Sequence, residues 1–304
     1  MQKHNPDTNH MLSAHSKGNW VIDAVSLKAR LDSPEPNSPE PGNSGDKNQR
    51  STLIVDAGSD KDYAEGHIPG AVHLDYSNLI CGVKPATGKF PDLQQLAQAL
   101  SGIGLSEEVD VIVYDHNAGA QAGRLAWTLD MVGHHQWLWL DGGYSAWLAA
   151  GGKAELTPNA PNTSEFTIDT LQPANADTDY ILRAMDDPNI LVWDVRSEDE
   201  YLGRKSPSRR WGHIPGAVNL NWIETFDESN HRKLKSPDTI RAMLAEIGVT
   251  PDKEIIVHCQ THQRSSHSYV TLKSLGFEKV RAYDGSWSEW GNRDDLPIDS
   301  GPDS

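Results

Sequence analysis

Cys259 opens the run Cys259-Gln260-Thr261-His262-Gln263-Arg264-Ser265, in which a thiol is followed five positions on by a guanidinium. A nucleophile and a cation at this spacing suit sulfur chemistry. The apolar run Glu254–His258 precedes the thiol and a helix-like stretch, Ser265–Leu275, follows it. The sulfur therefore belongs at the carboxyl end of a strand, facing a helix N-terminus. Loop N–H groups, the helix N-terminus and the Arg264 charge all favour thiolate over thiol. An unperturbed thiol titrates near ~8.5 and such surroundings move it to ~3.5–7.5, so no separate general base is strictly needed. An inert cysteine ending a buried strand is the alternative, and a loop with His and Arg is poor surroundings for it.

The neighbouring side chains each have two readings. Arg264 either stabilises an anionic donor and the charged sulfur, or pairs locally with an acidic residue. His262 either donates a hydrogen bond within the loop or faces solvent. His258 reads as a satisfied, semi-buried histidine, and His267 as a surface residue of the helix. No metal is expected from His258, Cys259, His262 and His267, because structural zinc usually takes a distant second pair of ligands that is missing here. A loop that cradles a phosphoryl group would read C-x5-R. The C-x4-R spacing is one residue tighter and leaves less room for a tetrahedral phosphate on sulfur.

The elements that must hold this loop occur twice. The heptapeptide GHIPGAV stands at Gly66–Val72 and again at Gly212–Val218. Each copy is preceded by an apolar run ending in Asp (Asp56, Asp194) and followed by a second apolar run, Val109–Tyr114 or Glu254–His258. Each closes on Asp-Gly with tryptophan, DGGYSAW from Asp141 and DGSWSEW from Asp284. A period kept across four landmarks marks a duplicated domain. After the second apolar run the first copy has Asp115 where the second has Cys259. Short unbroken apolar runs such as Leu53–Val55, Val111–Val113, Leu191–Trp193 and Ile255–Val257 suit parallel strands covered on both faces. Helix starts are marked at Pro91-Asp92 and at Ser236-Pro237-Asp238. The expected fold is α/β: two domains, each a small parallel sheet flanked by helices. Residues 18–154 form the first and 178–297 the second. Residues 155–177 form a linker, 33–50 a flexible Pro- and Ser-rich insertion, 1–17 a disordered tail and 298–304 a loose one.

Over about residues 18–297 the chain resembles the tandem-domain rhodanese family of sulfurtransferases. The likeness rests on Asp194-x-Arg196 with Glu200-Tyr-Leu-Gly203, on GHIPGA twice, on the loop CQTHQR and on the closer DGSWSEWG. The loop is most similar to the CQTH-x-R form of bacterial thiosulfate sulfurtransferases, and departs from the CRKGVT and CGSGVT forms. The resemblance implies that the first copy, with Asp115, is catalytically silent. It also implies that Cys259 attacks the outer sulfur of thiosulfate, and that a Cys259 persulfide then passes its sulfur to cyanide or a thiol. Gln260, Thr261, His262, Gln263, Arg264, Ser265 and Arg196 are the candidate substrate contacts. 3-Mercaptopyruvate as donor, or a sulfur-relay module with a protein acceptor, are the alternatives.

Bulk properties bound the partners. The 304 residues carry a formal charge of −16, 37% hydrophobic residues and a mean hydropathy of −0.58. This describes a soluble protein whose general field repels nucleic acid, anionic membranes and anionic substrates alike. Local cations must then capture the donor. A connection eight residues longer in the second copy holds Arg204, Lys205, Arg209 and Arg210, which either guide anions or are merely solvated. Two cysteines, Cys81 and Cys259, and no apolar leader fit a monomeric cytoplasmic enzyme without cofactor. Cys81 reads as a spectator, and His67 and His213 as anchors of the Gly-His…Pro-Gly turn.

Overall fold

The computed structural model describes residues 20–33 and 50–301, so the expected tail 1–17, insertion residues 34–49 and residues 302–304 lie outside it. The first half contains β1 (Val21–Ile22), α1 (Ala24–Asp32), β2 (Ser51–Asp56), α2 (Asp60–Glu65), β3 (Val72–His73), α3 (Leu93–Gly102), β4 (Val109–Tyr114), α4 (Ala120–Met131), β5 (Trp137–Leu140) and α5 (Gly143–Ala149). The second contains α6 (Thr178–Ala184), β6 (Ile190–Asp194), α7 (Glu198–Tyr201), β7 (Val218–Asn219), β8 (Phe226–Asp227), β9 (Lys233–Leu234), α8 (Pro237–Glu246), β10 (Glu254–His258), α9 (Arg264–Ser274), β11 (Val280–Ala282) and α10 (Ser286–Trp290).

Each half is a parallel sheet flanked by helices. The strand orders are β1-β5-β4-β2-β3 and β11-β10-β6-β7, and the β8–β9 hairpin is antiparallel. Strand-to-helix crossovers make parallel pairing obligatory here, and sheets covered on both faces explain the unbroken apolar runs. The marked helix starts hold: Asp92 caps α3 by accepting the Gln94 and Gln95 N–H groups, and Ser236 caps α8 with Pro237 in its first turn. Leu96 and Leu100 on α3, and Ile240 and Leu244 on α8, face inward at the i, i+4 spacing of one helix face.

The two halves meet along α4 and α9, the helices that follow the Asp115 and Cys259 loops. Gly123 lets the backbones touch, since a Cβ there would lie 2.9 Å from the main chain of Ser266 and His267. The Ser266 hydroxyl donates to the Ala120 carbonyl at 2.9 Å, and Tyr269 donates to Asp130 at 2.7 Å. One apolar cluster runs through this contact, with Trp127, Trp139, Trp193, Val257 and Cys259 all buried in it. Burying one such indole contributes about 3 kcal/mol.

Arms cross the interface in both directions. In the second half's closer, Asp284 accepts the Phe90 N–H at 2.8 Å, and in the first half's closer, Asp141 accepts the Leu234 N–H at 2.8 Å. The connecting segment is bound to both halves, with Glu155 bridged to His67 and Ala176 bonded to Ala282. The loose tail expected from 298 is secured at its start, because Asp299 exchanges backbone hydrogen bonds with His213. Arg50, at the end of the expected insertion, is anchored to Asp110 and the Val109 carbonyl.

Candidate active site

Register places the site at the carboxyl edge of the second sheet. His258 pairs with Asp194 across β10 and β6, and Cys259 is the next residue. The Cys259 N–H donates to the Ser286 hydroxyl at 3.3 Å, and its carbonyl accepts the Trp287 N–H at 3.0 Å. The Ser288 N–H likewise donates to the Gln260 carbonyl at 2.9 Å. The DGSWSEW closer is thus the floor on which the loop rests.

Burial pushes the Cys259 thiol up, but the Arg264 charge, the Ser265 hydroxyl and the Ser265 and Thr261 N–H groups prevail and hold it below the ordinary thiol range. The sulfur faces a helix start, as α9 begins at Arg264. His262 sits in the left-handed region (φ 54°), which turns the loop back on itself. It is fully buried, its Nδ1 lies 2.8 Å from the Ser265 hydroxyl, and its ring meets Trp127 of the first half edge-on at 4.5 Å. Burial and the Arg124 charge keep it neutral. Gln260 donates to Ser208 at 3.0 Å, and Gln263 stands at the N-cap of α9 with its carbonyl accepting from Ser266.

Arg264 forms a two-pronged ion pair with Glu200 at 2.8 and 2.9 Å, the local acidic pairing, and its charge also lowers the pKa of the Cys259 thiol. Glu200 also closes a capping box with Ser197 at the head of α7.

Three sequence expectations need correction. Arg196 is a buried partner of Asp194 that also donates to the Gly212 carbonyl and lies over Trp287, so these bonds tie it to the scaffold. A carboxylate two residues away claimed it first. The Arg204–Arg210 cations are already matched: Arg204 and Lys205 by Asp199, Arg209 by Asp294, and Arg210 by the Arg293 and Leu296 carbonyls. This connection supports the floor, through the Ser208 hydroxyl donating to the Trp287 carbonyl at 3.2 Å. His267 is not on the surface. It is fully buried between Trp139 of the first half and the second half's own Trp222 and Phe226, which together cover α9.

The remaining histidines and Cys81 fall as follows. His67 and His213 accept structural duty, each stacked on a tyrosine (Tyr63, Tyr201) and bonded to that tyrosine's carbonyl. His258 is buried, with Nδ1 3.2 Å from the Cys259 carbonyl and Nε2 3.5 Å from Asp194; burial pushes its pKa down to about 4. Cys81 is half-buried among the Ala86 and Thr87 carbonyls.

In the first half the matching nest is already filled. One Asp115 oxygen accepts the Asn117 and Gly119 N–H groups, and the other accepts those of Gln121 and Ala122, all between 2.8 and 3.0 Å. A built-in carboxylate occupies the donors that an anionic sulfur would need.

Sequence reasoning missed the cover that the first half lays over the loop. A Cβ on Gly88 would come within 2.0 Å of the Thr261 carbonyl oxygen, and Lys89 pairs with Glu289 at 2.8 Å. With this cover Cys259 is 1% exposed. Arg124 is also brought near the loop, and a charged residue in the apolar stretch Ala120–Met131 was the available signal.

The rhodanese-like domain model matches residues 43–150 and 177–293. The chain is 38% identical over 279 residues to the thiosulfate sulfurtransferase of Azotobacter vinelandii, covering 92% of this chain and 96% of that one. It is 36% identical, with the same coverage, to the thiosulfate sulfurtransferase of Pseudomonas aeruginosa. A sulfur carrier protein, TtuD of Thermus thermophilus, is 31% identical over 253 residues, 79% of this chain and 87% of that one. Among solved structures, the anaerobic ergothioneine biosynthesis enzyme of Chlorobium limicola superposes with a TM-score of 0.80 at 21% identity. The match covers 97% of this chain and 73% of that one, a likeness of fold.

Proposed function

The chain belongs to the rhodanese-like family, whose domain it carries twice, and on that premise we propose that it is a thiosulfate sulfurtransferase working through Cys259. The observation that carries this reading is the sulfur itself: a buried cysteine whose thiolate is favoured by Arg264 and by N–H groups of its own loop. The relatives named thiosulfate sulfurtransferase span nearly the whole chain and support thiosulfate as the donor.

In the proposed reaction the Cys259 thiolate attacks the outer sulfur of thiosulfate. The S–S bond of the donor breaks and its electron pair leaves with sulfite, while a Cys259 persulfide forms. Cyanide or a thiolate then attacks the outer persulfide sulfur, takes it away, and returns Cys259 as thiolate. Thr261 and Ser265 N–H groups hold the negative sulfur in both states. Arg264, restrained by Glu200, supplies fixed positive charge where charge accumulates. No cofactor enters this scheme. Two free cysteines suit a reducing compartment such as the cytoplasm, and both halves of one chain suffice to enclose the loop.

Intact mass after thiosulfate treatment tests the reading. A gain of one sulfur atom on wild type, none on Cys259→Ser and an undiminished gain on Cys81→Ser are expected. Turnover by Cys259→Ser overturns the mechanism. The likeness to a sulfur carrier protein favours a second reading, with a protein thiol as acceptor; discharge of the isolated persulfide by cyanide but by no protein thiol excludes it.

A further inference from the structure

Arg124 is a buried cation with no ion-paired carboxylate among the described residues. It lies on α4 of the first half and is 0% exposed. Its Nη2 donates to the Leu79 carbonyl at 2.7 Å, while Nε and Nη1 have no hydrogen-bond partner among the described residues. Of the other buried or loop-side arginines, Arg196 takes Asp194 and Arg264 takes Glu200. A desolvated guanidinium without a counter-charge is unfavourable, and native proteins rarely keep one idle.

Its position joins it to the Cys259 loop. The guanidinium lies 4.6 Å over the Trp127 ring, which also meets His262 of the loop edge-on at 4.5 Å. His262 Nε2 is also buried and unpartnered. Burial lowers the pKa of Arg124, and the neighbouring Tyr76, Asp284, Cys259 and Cys81 oppose that shift. Asp284 is already engaged, accepting from Phe90 and Asn175.

We propose that Arg124, contributed by the half that lacks the thiol, binds the oxyanion end of the donor. A free N–H of Arg124 takes a sulfonate oxygen of thiosulfate while the outer sulfur meets Cys259. A guanidinium keeps its charge when buried, and its charge-assisted hydrogen bonds suit an oxyanion. The sulfur-bearing half thus supplies the nucleophile, and the silent half supplies part of the substrate grip. The proposal rests on the sulfurtransferase reading for the identity of the donor, but the anion site itself does not require it.

Sulfate, an unreactive oxyanion, is the probe. Two readouts are compared at constant ionic strength: the melting temperature, and the rate at which neutral iodoacetamide alkylates Cys259. Sulfate is expected to raise the wild-type melting temperature and to slow alkylation. Arg124→Met should melt higher than wild type without sulfate, because the unpaired charge is gone, and should respond to sulfate in neither assay. Arg124→Lys should keep part of the response, and Arg124→Gln serves if the Met variant does not fold. In turnover, Arg124→Met should raise KM for thiosulfate roughly tenfold or more. Equal sulfate responses in wild type and in the charge-removed variants, or none in wild type, overturn the proposal. If thiosulfate leaves no sulfur on Cys259 while the sulfate response still depends on Arg124, the sulfurtransferase reading fails and the anion site stands.

Discussion

Arg264 and Glu200 meet fork to fork, Nη1 donating to Oε2 at 2.8 Å and Nη2 to Oε1 at 2.9 Å across 64 residues of sequence. Burial pushes the Glu200 carboxyl up, but the bonds and charge of Arg264 and the Ser197 contacts prevail and hold it at about 2. Its folded pKa therefore lies below the unfolded value of ~4.3. The stabilisation is complete above that value and lost as pH falls towards about 2. Glu200→Gln should cost on the order of 2 kcal/mol at neutral pH and flatten the acid decline within that window. Urea unfolding across pH measures both; an unchanged acid limb would show that the pair adds nothing to stability.

Arg264→Ala should move the midpoint of Cys259 alkylation by iodoacetamide upward, to the unperturbed ~8.5 or beyond, because burial then acts with less opposition. It should also destabilise the fold by about 1–3 kcal/mol by leaving Glu200 enclosed without its partner. An unmoved midpoint would assign thiolate stabilisation to the loop N–H groups alone.

Asp115→Cys in a Cys259→Ser background should stay inactive toward thiosulfate. The Asp115 nest offers four N–H groups, and burial there pushes acids up with no cation among the leading influences. A thiol at that position should therefore titrate at or above ~8.5. Thiocyanate production by this double variant would mean that backbone donors suffice.

Gly123→Ala should separate the helices that carry the two loops. The added methyl meets main chain rather than a yielding side chain at 2.9 Å. A loss of about 1–3 kcal/mol is expected, together with lower turnover because α9 begins at Arg264. Wild-type turnover would show that the loop tolerates a shift of its helix.

His267 must stay neutral within its aromatic ring, and burial lowers its pKa to about 3. The unfolded chain binds its proton near ~6.5, so stability is full above that pH and declines on acidification towards 3. His267→Phe should make that decline shallower by roughly 1.4 kcal/mol per pH unit. Parallel wild-type and variant slopes from about pH 6 down to about 4.5 would place the sensitivity in other groups.

The repeat, the parallel sheets and the Cys259 loop were legible because each has a local signature: an apolar run, a cap, a heptapeptide, a thiol five residues before a cation. What escaped is non-local or contrary to polarity. The helix-like stretch Ser265–Leu275 is rich in Ser, His and Thr, and His267 reads as one of its surface residues. Yet Ser265, Ser266, His267 and Ser268 are all fully buried, with the Ser266 hydroxyl on the Ala120 carbonyl and the His267 ring against Trp139 of the other half. Arg196 looked like a substrate ligand because charge in a motif suggests chemistry, whereas Asp194 neutralises it inside the scaffold. Glu200, Ser208 and the Gly88 approach act on loop residues 64, 52 and 173 positions away, where no periodicity reports on pairing.

The reciprocal arms have a temporal consequence. The Phe90–Asp284 bond and the Gly88 approach keep the sulfur under a cover donated by the other half. On the proposed mechanism, a sulfur-loaded Cys259 would lie behind this cover, and its discharge to thiols in bulk solution would wait on the cover lifting. The duplicated half would then act as a timer as well as a scaffold. Opening would set when stored sulfur is released, and the width of the opening would sort small acceptors from bulky ones.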